Sequence, residues 1–145
     1  MPFVQVGRNK VAGLITGAET KKYDSTGAVL WLASSTEAHS PTSTWFGSAA
    51  VASTMEAGFP SRSANILQFK AVYSTAMANF AWEQWGLHTA TQSDSGDLLN
   101  KAVQQALGTK TCAGIWTITT CMTITTTLLL MLGDVVQAIL GTGGL

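Results

Sequence analysis

The sequence predicts a mainly β protein: a single-domain antiparallel β-sandwich or jelly roll with one short helix and an apolar C-terminal arm. Three observations carry that expectation. Apolar and polar residues alternate with the period of two that places neighbours on opposite faces of a strand. Gly, Pro, Ser and Asn cluster between the apolar runs. Finally, 20 threonines among 145 residues supply polarity in a form that suits a pleated surface. One domain is expected at this length, burying about two-thirds of its unfolded surface. Residues 1–127 read as the β-sandwich domain and 128–145 as the arm.

The first 20 residues mix apolar and polar positions in short alternation around Gly7, Gly13 and Gly17, and a polar turn follows over residues 21–27. The run Ala28-Val29-Leu30-Trp31-Leu32-Ala33, bounded by Gly27 and Ser34, predicts a buried strand. Pro41 and repeated Ser and Thr make residues 36–48 a loop, and Ala and Met content makes residues 49–57 the short helix. Gly58-Phe59-Pro60-Ser61 breaks the chain again. From Asn65 a second strand places Leu67, Phe69, Ala71 and Tyr73 on one face, with Gln68 and Lys70 on the other. A third strand covers residues 79–87, where Phe80 and Trp82 share one parity and Trp85 and Leu87 the other. That switch predicts a bulge near Glu83 and Gln84.

Residues 92–96 read as a turn. Beyond it, Leu98, Leu99, Ala102, Val103 and Ala106 fit a helical face with Asp97 as N-cap and Gly108 past the end, and an extended reading stands beside it. No charged residue lies between Thr111 and Gly133, a length that suits a membrane-spanning helix. Threonine breaks the apolar run, however: Thr117, Thr119, Thr123, Thr125 and Thr127 share one parity, and Trp116, Ile118, Met122, Ile124, Leu128 and Leu130 mostly the other. This stretch is therefore expected to be a strand. Leu128, Leu132, Val135, Val136 and Ile139 then fit a helical stripe interrupted by Gly133, an apolar arm that folds back on its own core or lies across a neighbouring subunit.

Eight basic and eight acidic side chains give a formal charge of zero, and charged residues make up 11% where about 25% is usual. That balance excludes a phosphate-driven nucleic-acid binder, and the 46% apolar content excludes a disordered tail. A Ser/Thr-coated, uncharged surface repels its neighbours weakly, which suits a chain packed against other subunits. Cys112 and Cys121 match no metal spacing and no redox pair, and are expected as two buried or half-buried free thiols made in a reducing cytosol. The N-terminal residues lack the basic leader and long apolar run of a signal peptide.

Catalytic chemistry is not expected. His39 and His88 are the only side chains that ordinarily titrate near neutral pH, and no G-x-S-x-G elbow accompanies them. Asp94 and Asp97 flank Ser95 and Gly96 as turn residues do, without the further ligands of a calcium loop. Gly141-Thr142-Gly143-Gly144 has no helix after it to cradle a phosphate. No cofactor, metal, nucleic-acid or membrane partner is expected. Glu83, between Trp82 and Trp85, needs a partner if buried, and a Lys or Arg of this chain or of a neighbouring subunit would supply it. Trp31, Trp45, Trp82, Trp85 and Trp116 are read as core or interface residues, with a sugar-binding platform as the alternative.

Four stretches carry a resemblance. Gly58-Phe59-Pro60-Ser61-Arg62-Ser63-Ala64-Asn65 is followed by Ala78-Asn79-Phe80-Ala81-Trp82-Glu83-Gln84-Trp85-Gly86-Leu87. Leu98-Leu99-Asn100-Lys101 comes next, then Leu107-Gly108-Thr109-Lys110-Thr111 with Trp116-Thr117-Ile118-Thr119. In this order they resemble the GYPSRSGN turn, ANFAWNEWG strand and LGTKT strand of small virion structural proteins of tailed bacteriophages, over about residues 5–127. Gln104 and Gln105 stand where those proteins carry charged residues. The resemblance implies a strand over residues 98–103 and a structural role in a phage particle. The expected function is a capsid decoration (cement) protein, assembled in the host cytoplasm and resident in the virion. It is expected as a homo-oligomer, a trimer, contacting the major capsid protein or another virion protein, with the arm bridging capsomers. A tail, neck or fibre component is the alternative, and a carbohydrate-binding host-recognition module a third. Trp82, Glu83, Trp85, Leu128, Leu130, Leu132, Val135, Val136 and Ile139 are the interface or core candidates.

Overall fold

Strand β1 (Val29–Ala33) is buried along its whole length, and the rest of the protein is arranged around it. The computed structural model describes residues 3–20, 22–46, 50–89, 98–103 and 105–123. The chain is mainly β, with one short helix, α1 (Gln5–Thr16), among the described residues. After β1 come β2 (Ala50–Thr54), β3 (Ser61–Ser63), β4 (Ile66–Tyr73), β5 (Ala81–Trp82), β6 (Gln84–His88), β7 (Gly108–Thr109) and β8 (Trp116–Thr123). They pair antiparallel in three sheets of order β2-β1-β6, β3-β4-β8 and β5-β7.

The two larger sheets are stitched together where β2 runs onto β4. Met55 bridges Ala71, the Glu56 N–H donates to the Lys70 carbonyl at 2.8 Å, and the Ser53 hydroxyl donates to the Val72 carbonyl at 2.7 Å. The result is sandwich-like but not closed.

Alternation along β1 decides what each face buries. Leu30 and Leu32 join Ala28, Phe69, Ala71, Tyr73, Trp82, Leu87 and Leu99 in one cluster. Val29, Trp31 and Ala33 face the opposite way, into a second cluster with Val4, Phe46 and Leu98. Burying a Leu-sized side chain is worth about 1.5–3 kcal/mol, so a strand buried on both faces contributes twice what a half-buried strand does. The turn before β1 is set by Asp24, whose carboxylate accepts from the Thr26 hydroxyl at 2.8 Å, the Thr26 N–H at 3.0 Å and the Gly27 N–H at 2.8 Å. Those donors, the Thr26 hydroxyl first, hold this exposed carboxyl below its ordinary range.

The strands expected at residues 28–33, 65–73 and 79–87 are present, and β4 buries Phe69, Ala71 and Tyr73 as its alternation requires. β8 also alternates as expected, with Thr117, Thr119 and Thr123 exposed and Trp116, Ile118 and Met122 half-buried. The predicted break at Glu83 is a change of sheet: β5 pairs with β7, whereas β6 pairs with β1. The Glu83 N–H donates to the Ala33 carbonyl and its own carbonyl accepts from Gln105, so the backbone stays bonded across the switch.

Three expectations are corrected. Residues 50–54, expected within the helix, form β2, because pairing with all five residues of β1 outweighs the helical preference of Ala and Met. The helix lies instead at α1, which has no side-chain N-cap bond, ends at Gly17, and buries only Gly7 and Lys10. The helical reading after residue 97 also fails: Asn100 bridges Phe3 and Ala102 bridges Trp85, so the segment is extended along the outer edge of β6. Cys112 and Cys121 are free, as expected, but exposed rather than buried. The expected arm, residues 128–145, the remainder of the Thr-rich stretch beyond Thr123, and the turn with Asp94 and Asp97 lie outside the described residues.

Candidate functional site

Two of the motif stretches, 78–87 and 107–111, meet at the β5–β7 pair, and Trp116 of a third packs against Trp82 there. Ala81 faces Thr109 and Trp82 faces Gly108, while the Lys110 N–H donates to the Phe80 carbonyl at 3.1 Å. Trp82 is 2% exposed and makes edge contacts with Tyr73, at 5.2 Å between ring centroids, and with Trp116, at 5.1 Å. Its indole N–H donates to the Ala78 carbonyl at 2.9 Å. Gly108 has a φ of 120°, and a Cβ there would approach the Trp116 ring at 3.2 Å, so the turn into β7 suits glycine twice over.

Four polar motif residues, Gln84, Asn100, Lys101 and Lys110, are turned inward. The Lys110 ammonium, 0% exposed, donates to Asn79 Oδ1 at 2.8 Å, tying the LGTKT stretch to the ANFAW stretch. Asn100 Oδ1 accepts from the Leu87 N–H at 3.0 Å, fixing the extended segment to β6. Lys101, 1% exposed, pairs with Glu37 at 3.0 Å, and Gln84 Nε2 donates to the Glu37 carbonyl at 2.8 Å. A buried ammonium without such a partner would be costly. These side chains join loop to strand.

Glu83 is half-buried and its carboxylate has no partner among the described residues, so no Lys or Arg of this part of the chain fills the expected role. Trp85 is partly buried against the first cluster. Trp31 and Trp45 meet edge-on at 4.7 Å, and Trp45 also touches Phe46 at 5.3 Å and His88 at 5.4 Å. None of the five tryptophans is among the exposed large apolar side chains, which are Val11, Ile15, Ile66, Leu107 and Ile115. A flat sugar platform needs an exposed ring face, whereas Trp31, Trp45, Trp82 and Trp116 are packed edge-on against other rings.

His39 lies in the loop over residues 36–48 and His88 is fully buried in β6. Among the described residues no three His, Cys, Asp or Glu side chains gather as a metal site would require, and no helix is long and apolar enough to cross a membrane.

What the described chain leaves open is a strand edge. β8 pairs with β4 over eight consecutive residues, from Ile66↔Thr123 to Tyr73↔Trp116, and no described strand pairs with its other side. β8 contains no charged residue and no proline, and Thr117, Thr119, Cys121 and Thr123 are exposed on one face. The sequence signalled this strand by its alternation but not its position at the rim, which depends on pairing partners distant in the chain. The chain matches no family model, no curated protein and no solved structure.

Proposed function

We propose that this chain is a structural protein of a bacteriophage virion, and within it a capsid decoration protein. It would stabilise the head through contacts between its own copies and with the major capsid protein. One observation carries the reading: the buried polar residues of the motif set, Gln84, Asn100, Lys101 and Lys110, hold the fold, while the longest strand edge left unpaired among the described residues is uncharged. Such a molecule offers surface rather than chemistry. The resemblance of the motif stretches to small phage virion proteins points the same way.

The physical task is modest per copy. Each interface adds apolar area at about 25 cal/mol per Å² together with backbone pairing, and repetition over a symmetric shell multiplies the sum. The test is to mix the purified protein with undecorated phage heads, pellet the heads and count bound copies. Saturable binding at numbers matching the symmetry sites of the shell is the expected result. Failure to bind, with closed rings or fibres formed by the protein alone, would overturn the decoration reading in favour of a neck, tail or fibre component.

A further inference from the structure

We propose that the open edge of β8 is the seam along which this chain pairs with β8 of a second copy, antiparallel across a two-fold axis. The proposal rests on the assembly role above and names the contact that serves it.

Exposed edges in natural sheets are usually short, bulged, or guarded by Lys or Pro, because a bare row of backbone donors and acceptors invites another strand. β8 has none of these protections: its register with β4 is unbroken and its eight residues are uncharged. The other strand sides among the described residues are shorter or partly covered. β2 turns onto β4 through Met55 and Glu56. β6 is lined by residues 98–103, through Leu99 donating to Leu87 and the Trp85–Ala102 bridge. That lining segment is itself met by Phe3 and by the Val4 N–H on the Leu99 carbonyl. β3 has only three residues, one of them Arg62.

A strand edge left open among the described residues is satisfied by a second copy when it pairs with itself, which is an isologous, two-fold contact. The chemistry is also self-complementary. Thr117, Thr119, Cys121 and Thr123 would meet the same uncharged face of the partner, and cross-strand threonines favour one another. Two strands of eight residues form a seam well short of a standard interface of about 1,200–2,000 Å². Pairing is therefore weak in dilute solution and strengthens where copies are held close together. It links single chains, or trimers, in twos.

The test uses the full chain under reducing conditions, without phage heads, followed by native mass spectrometry over rising concentration. Species with even numbers of chains are expected. Thr117→Lys with Cys121→Lys places lysines directly opposite Val72 and Gln68 within the sheet, and the charge of Lys70, diagonal to both, is offset by its pairing with Glu56. Across the seam, like charges meet, and association weakens about tenfold or more. Val11→Lys with Ile15→Lys adds the same charge on α1 and leaves association unchanged.

Should the β8 variant fail to fold, hydrogen exchange of the wild-type chain decides. Amides of residues 116–123 not bonded to β4 exchange fast when dilute and slowly when concentrated. Odd-numbered species alone, association indifferent to the β8 lysines, or β8 amides protected at every concentration because the chain covers its own edge would each overturn the proposal. Pairing through β8 without head binding would keep the seam and remove the decoration reading; head binding without pairing would do the reverse.

Discussion

Lys110 shows how a charged residue in a neutral chain becomes a fold determinant. Its ammonium is buried and held by Asn79, which is itself exposed. Asn79→Ala leaves the ammonium only its longer, 3.4 Å bond to the Thr111 carbonyl and is expected to cost about 1.5–3 kcal/mol in urea unfolding. Lys110→Met is expected to be milder, because the Asn79 amide returns to water; the opposite order would refute the buried-charge account. Tyr73 is the second such residue, its hydroxyl donating to the Leu30 carbonyl at 2.6 Å inside the core. Tyr73→Phe removes that buried hydrogen bond, at about 0.5–1.5 kcal/mol. Burial raises the Tyr73 pKa above its ordinary 10.0, so the unfolded chain loses its proton first. Its contribution is thus fully present below about pH 10 and falls as the pH rises further. The gap in Tm between wild type and Tyr73→Phe should narrow from about pH 8 to about pH 11, and a constant gap would contradict the buried hydroxyl. The inward parity of Tyr73 was legible from period two, whereas the Lys110–Asn79 contact was not. Thirty-one positions separate its members, and only the β5–β7 pairing brings them together.

Among the elements, β1, β4 and β8 were legible because each has a clean period or a compact apolar run between turn residues. β2 was not, since Ala50, Ala52 and Met55 suit a helix locally and become a strand and its adjoining bridge through pairing with β1 and β4. α1 was hidden for a different reason: with Val11 and Ile15 exposed and no side-chain cap, its apolar residues trace no single buried stripe. Backbone approach between elements was equally invisible. Gly86 lies where a Cβ would come within 2.3 Å of the Asn100 carbonyl oxygen and 2.8 Å of the Phe46 ring. Gly86→Ala must push the extended segment off β6, with an expected loss of about 1–3 kcal/mol and faster amide exchange at Leu99 and Ala102. A variant as stable as wild type would show that this segment is not held against β6. Trp82→Ala, which empties the centre of the Tyr73–Trp82–Trp116 contact, should cost about 3–5 kcal/mol and is expected to prevent folding.

At the scale of the whole molecule, an open sandwich covers one rim with its own N-terminal segment and leaves the other rim, β8, unpaired among the described residues. Zero net charge and a Ser/Thr-rich composition weaken the repulsion between copies, which is the ground for expecting association. Composition does not indicate which surface meets a neighbour, since that depends on which strand ends up last in the sheet. In the proposed role this chain is a building block of a phage particle, repeated many times with each contact weak. The most direct measurement is therefore its copy number in purified particles, by quantitative peptide mass spectrometry against the major capsid protein. A ratio on the order of one copy per capsid subunit, fixed from preparation to preparation, is the predicted result. Absence from the particle, or a trace amount that varies with purification, would contradict a structural role in the virion.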